Sequence, residues 1–217
     1  MIAKPTARCL TILVSLLAVG CTQTIEPTGT TSTVRDLDQK APGRYVAVLN
    51  VTPEKTPQVS LMNPKALIQS LEKHLCVLKL AFAPTLEKLM KSAVEAVFED
   101  VVFVPKSDAP INIQDFNADG GISVTLTQAK PYAFCSGRTC NARMDFTVKT
   151  VVSRPNQPKV EIETSRGESE SDTSWLDHCL MVPGLMQEVQ KRAIEGIQSE
   201  LVEMLSEKSS LFGRSKW

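Results

Sequence analysis

The stretch "ARMDFTVKTVV", Ala142 to Val152, constrains the fold more than any other part of the chain. Met144, Phe146, Val148 and Val152 alternate with Arg143, Asp145, Thr147 and Lys149. Successive side chains of a strand point to opposite faces, so this pattern reads as a strand with one apolar and one wet face. Such strands belong to antiparallel sheets that leave one face open. "RPNQP" at Arg154 to Pro158 is turn chemistry, and it joins this strand to "KVEIET", Lys159 to Thr164, as a hairpin. Further strands are expected at Ile122 to Gln128, Arg44 to Val51 and Val101 to Val104. The apolar face needs a cover. Leu86, Leu89, Met90, Ala93, Val94, Val97 and Phe98 recur at helical spacing within Pro84 to Glu99. A second helix, Pro183 to Lys208, carries the stripe Met186, Val189, Ala193, Ile197, Leu201 and Met204. An α/β (α+β) two-layer sandwich, with a mostly antiparallel sheet and helices packed on one face, satisfies both demands. Pro64 is placed to open a short helix through Ala66 to Leu71. His74 to Phe82 fits a helix or a strand, and periodicity alone does not choose.

The first residues follow a different logic. Lys4 and Arg8 supply positive charge, Leu10 to Val19 is apolar, and no acidic residue precedes Glu26. Those ten residues, all apolar but Thr11 and Ser15, are half of the roughly 20 that a membrane-spanning helix needs. The layout is that of a secretory signal over residues 1–20. "AVGC", Ala18 to Cys21, then resembles the lipobox of bacterial lipoproteins, matching at Gly20 and Cys21 and departing at Ala18, where Leu is commoner. That resemblance implies cleavage before Cys21, a diacylglyceryl group on its sulfur and a further acyl chain such as palmitate. Several chains matter because each buried CH₂ contributes about 0.8 kcal/mol, and one chain alone binds a membrane only transiently. Thr22 follows Cys21; in the same family an Asp there favours the inner membrane, so the expected location is the periplasmic face of the outer membrane.

Thr22 to Gly43 is rich in Thr, with Pro27, Gly29, Pro42 and Gly43 and no apolar period, so residues 21–43 read as the lipidated cysteine and a flexible tether. Residues 44–217 are then a single periplasmic domain. Its order of strand, helix, short strand, meander and C-terminal helix resembles small outer-membrane lipoproteins of the YajG and LptE kind, which implies an accessory role in envelope assembly or transport.

An exported domain favours disulfides. With Cys9 in the signal and Cys21 acylated, Cys76, Cys135, Cys140 and Cys179 remain. "CSGRTC" has a Ser-Gly centre that can turn the chain back, which favours Cys135–Cys140 and leaves Cys76–Cys179. The competing reading is a zinc site from His74, Cys76, His178 and Cys179, disfavoured because neither pair has a finger spacing and oxidation removes the thiolates. "DFNADGGI", Asp115 to Ile122, matches positions 1, 3, 5, 6 and 8 of a calcium loop. Position 12 is Leu126, however, so the expectation is an Asn-Asp-Gly turn with weak cation binding at most. "RGESESD", Arg166 to Asp172, reads as a solvated loop or strand extension, with a partner-binding edge as its functional option.

Basic and acidic residues balance at 24 each, which offers no broad basic face for nucleic acid. There is no G-x-S-x-G, H-E-x-x-H or phosphate-cradling glycine loop, so no catalytic, metal or cofactor residues are assigned. The expected function is a non-enzymatic accessory or scaffold of the envelope, lipid-anchored to the membrane through Cys21 and bound to an envelope protein partner. The alternative is a carrier for lipid or another hydrophobic ligand, and an enzyme ranks third.

Overall fold

The computed structural model describes residues 21–32, 34, 40–53, 55–61, 76–106, 113–136, 138–173 and 178–212. Its elements run β1 (Cys21–Ile25), β2 (Ala41–Asn50), β3 (Gln58–Leu61), β4 (Cys76–Leu80), α1 (Ala83–Val97), β5 (Phe98–Val104), β6 (Gly120–Ser136), β7 (Thr139–Ser153), β8 (Val160–Thr173), α2 (His178–Glu207) and a closing turn of helix, α3 (Ser209–Phe212). The class is the expected α+β. Five strands form one sheet in the order β5-β2-β6-β7-β8, and β1-β4-β3 form a second. The long ladders β6–β7 and β7–β8 are antiparallel, whereas β2 runs parallel to both β5 and β6. The smaller sheet was not anticipated, nor was parallel pairing around β2.

Burial alternates along β7 as its sequence demands: Cys140, Ala142, Met144, Phe146, Val148, Thr150 and Val152 are buried beneath the helices. The α1 stripe is buried at Leu86, Leu89, Met90, Ala93, Val94 and Val97. Pro84 sits in the first turn, where its missing N–H costs nothing. The helix stops at Val97 rather than Glu99. Phe98 is already extended, its N–H bonds back to the Val94 carbonyl, and the strand begins without a loop. On α2 the stripe continues through Leu205, which is fully buried, and Met204 is only partly covered. A straight helix has 3.6 residues per turn, so an apolar stripe drifts around it and the fourth residue from Leu201 lands on the core.

The tether expected over residues 21–43 is shorter than its composition implied. Cys21–Ile25 pairs with β4, and Ala41 already belongs to β2. Ile25 is the reason, since this single large aliphatic side chain is buried in the core and brings its neighbours into the ladder. Between Cys76 and Leu80, the strand alternative is the one adopted. The helix expected at Ala66 to Leu71 lies outside the described residues.

Tyr45 anchors the end of the sheet away from the β6–β7 tip. It is fully buried, its ring is 4.6 Å from that of Phe98, and its hydroxyl donates to the Phe212 carbonyl at 3.2 Å. Gly120 lies directly across from it, and a Cβ there would come within 2.8 Å of the ring and 2.7 Å of the Ser153 carbonyl. Burial pushes the Tyr45 phenol above its usual value; the nearby Arg154 guanidinium opposes this and the Asp119 carboxylate adds to it. The unfolded phenol therefore loses its proton first. Stability is complete below about pH 10 and falls as pH rises from there towards the raised folded value. Tyr45→Phe should abolish that alkaline loss, while costing about 0.5–1.5 kcal/mol at neutral pH for the missing hydrogen bond. Urea unfolding across a pH series reads both effects. The only other tyrosine, Tyr132, is exposed.

A second test concerns Thr150, whose hydroxyl is buried in the middle of β7 and has no partner among the described residues. Thr150→Val keeps the shape and removes the unpaired group. It should raise stability by about 1 kcal/mol, seen as a higher urea midpoint at unchanged slope.

Candidate functional site: the β6–β7 arm and the entry of the chain

Beyond Thr125, β6 leaves β2 and continues with β7 and β8 as a three-stranded arm. The ladder changes register between Leu126 and Gln128: Leu126 faces Val148, Gln128 faces Thr147, and Thr127 is extra. Such a bulge reverses which side chains face the core. Before it, Ile122 and Val124 point inward; after it, Ala129, Ala133 and Cys135 do. Thr127 is held by its own hydroxyl, which donates to the Thr147 carbonyl at 3.1 Å. The consequence falls on Tyr132 and Phe134. They stand on the open face, 56% and 49% exposed, and no other large hydrophobic side chain of the sheet is so exposed among the described residues.

Around them the open face is polar. Arg143 lies opposite Tyr132 and Asn141 opposite Phe134. Arg143 pairs with Asp145 at 2.9 Å, and their side chains lie across Gly167 of β8, where a Cβ would meet the Asp145 carboxylate. Further down the same face, Lys149 and Glu161 pair at 2.7 Å, which moves the lysine up and the carboxyl down in pKa. The tip is closed by Cys135–Cys140, a cross-strand pair with Cα atoms 4.0 Å apart, as the sequence spacing led us to expect.

"RGESESD" is a strand extension forming the outer part of β8. Ser165, Gly167, Ser169 and Ser171 face the open side, while Arg166, Glu168 and Glu170 face the helix layer. There Arg166 pairs with Glu168 at 2.7 Å and Arg192 of α2 pairs with Glu170. Inward-pointing charges on an edge strand discourage further pairing, which runs against the partner-binding edge. The calcium-like stretch forms a turn. Asn117 takes a left-handed conformation (φ 49°), and the Asp119 carboxylate accepts the Arg44 N–H at 2.9 Å, tying the turn to β2.

Cys21 is the first residue of β1 and sits in register with Cys76, the first residue of β4. Cys179 lies in the first turn of α2. The side chains of Cys21, Cys76, Cys179 and His178, and all of His74, lie outside the described residues. The pairing of Cys76 with Cys179 and the zinc alternative fall there too. No helix among the described residues is long and apolar enough to cross a membrane. The exposed aromatic pair is what sequence reasoning missed, because the strand expected at Ile122 to Gln128 stopped short of it.

No protein-family model matches the chain, and no curated protein matches it. Among solved structures, it is similar to a Xanthomonas campestris protein at 14% identity and a TM-score of 0.46, covering 87% of this chain and 98% of that one. It is also similar to rare lipoprotein B from Shewanella oneidensis, at 11% identity and a TM-score of 0.39 over 70% of this chain and 96% of that one. A minor lipoprotein from Acinetobacter baumannii stands at 11% identity and a TM-score of 0.38, over 75% and 91%. Two of these three are named as lipoproteins, and the likeness is one of backbone course alone.

Proposed function

We propose that this chain is a lipid-anchored protein of the bacterial envelope, held at the periplasmic face of the outer membrane through Cys21. It acts there through contacts, as an accessory or scaffold in envelope assembly or transport. The observation that carries the reading is where the chain enters the fold. The lipobox-like cysteine is itself the first residue of a paired strand, so an acyl group on it would hold the folded body against the membrane.

The test is intact-mass analysis of the mature N-terminus from bacterial membranes. The expected species begins at Cys21 and carries a diacylglyceryl group and a further acyl chain, and Cys21→Ser releases the protein from the membrane fraction. An unmodified chain beginning elsewhere would overturn the anchor. Crosslinked pull-down from the same membranes addresses the accessory role, which fails if no protein is recovered.

The carrier alternative finds its place in a cleft of about 620 Å³ where the ends of β2 and β5 meet α1, lined by Leu49, Phe103 and Val104 with Glu87, Lys91 and Lys106. Lys91 lies over the Phe103 ring and pairs with Glu87 at 3.0 Å, so the cleft is part-polar. Between helices and sheet proper, Met90, Val94, Phe146, Val148 and Met186 are fully buried and fill the layer.

A further inference from the structure

The contacts of α2 place the chain entry and the arm tip at the same end of the molecule. Gly196 lies against Arg166, and Arg192 reaches Ser169 and Glu170, so α2 runs antiparallel to β8. From Arg192 back to Pro183 is about 13 Å of helix, and from Glu170 on to Thr173 is about 10 Å of strand. Pro183 therefore stands level with Thr173, which pairs with Thr139 at the tip. Gln23, Thr24, Ile25 and Thr28 share a small cleft with Pro183, Gly184 and Gln187. The chain then runs away from the tip beside α2, with Thr28 bonded to Gln187, Thr31 to Glu195 and Ser32 to Gln198. Cys21 precedes all of these, so it lies at the tip end, on the helix side. Tyr132 and Phe134 lie towards the same end, on the open side.

We propose that Tyr132 and Phe134 are a second membrane contact, seated among phospholipid headgroups on the opposite side of the molecule from the acyl anchor. The proposal rests on the lipid-anchor reading above and adds the orientation of the body. An acylated Cys21 alone leaves the domain free to pivot, whereas a second contact across the thickness of two layers fixes which end faces the bilayer. The chemistry suits that place. Tyr132 has the apolar body and polar tip that favour the membrane–water interface, Phe134 beside it adds apolar surface, and Lys130, exposed two residues before Tyr132, is placed to meet phosphates. Glu168 and Glu170 of β8 do not oppose it, since they point into the helix layer, already paired with arginines; Asp172, nearest the tip, shares their side of the strand and accepts the Thr173 N–H.

Photocrosslinking of the full chain in bacterial membranes tests this. Benzoylphenylalanine replaces Phe134, Tyr132 or, as a control in the turn at the opposite end, Gln157, and adducts are read by mass. Phospholipid adducts at Phe134 and Tyr132, absent at Gln157, support the contact. A protein adduct at Phe134, whether to a partner or to a second copy, overturns it, as does the absence of any lipid adduct. The N-terminal mass from the same sample separates the two ideas. Acylated Cys21 without a lipid adduct at Phe134 sinks only this inference. Unmodified Cys21 sinks the anchor, and a lipid adduct at Phe134 would then still support the aromatic contact.

Discussion

Phe146→Ala lowers the unfolding free energy by about 3–5 kcal/mol, the largest loss expected from any single truncation considered for this chain. Phe146 is fully buried, and its ring meets that of Phe82 edge-on at 4.8 Å. Phe82 joins β4 to α1, so this one contact ties the smaller sheet and the first helix to the arm. Phe146 sits opposite Ala129 on β6, whose methyl cannot reach into the space a truncation would leave. The cavity therefore persists, and the cost exceeds the transfer free energy of the lost ring. Urea unfolding should show a much lower midpoint at unchanged slope. Phe134→Ala, which removes the same atoms from an exposed site, should stay within about 0.5 kcal/mol. A loss below 1 kcal/mol at Phe146 would mean that the layer beneath the helices is not close-packed.

Removing the tip disulfide by Cys135→Ser with Cys140→Ser should cost about 2 kcal/mol, because the bond closes a loop of only six residues. The location of the effect is as telling as its size. Val124 to Leu126 lie deep in the ladder and keep their partners, whereas the pairs from Tyr132–Arg143 to Ser136–Thr139 lose their end clamp. Hydrogen exchange should accelerate for amides of the outer arm and stay unchanged near Val124. Uniform acceleration throughout β6 would show that the bond stabilises the whole fold rather than the tip. The buried serine hydroxyls add to the loss, so an alanine pair serves as the cleaner comparison.

What could be read from the sequence was local and repetitive. The α1 stripe and the β7 alternation survive into the structure because each is a period confined to one element. Cys135 with Cys140 was legible for the same reason, being five residues apart. What stayed hidden depends on distant partners. β1 carries one large aliphatic residue in "CTQTI", and its place in a sheet is decided by β4, some 55 residues on. The parallel pairing of β2 leaves no mark on β2 itself. The length of β8 was obscured because its outer half replaces apolar side chains with arginine–glutamate pairs that satisfy each other at the rim of α2. The direction of Tyr132 and Phe134 could not be inferred from alternation, since one unpaired residue, Thr127, reverses it.

That single residue sets a rule for how the arm can change over evolutionary time. Inserting or deleting two residues between Gln128 and Ser136, matched on β7, lengthens or shortens the arm and keeps its aromatic side outward. An odd change, or loss of Thr127, would turn the two rings into the core and bring Ala129 and Ala133 to the surface. Relatives of this protein should therefore differ in arm length by even numbers, unless a second bulge has arisen to restore the count.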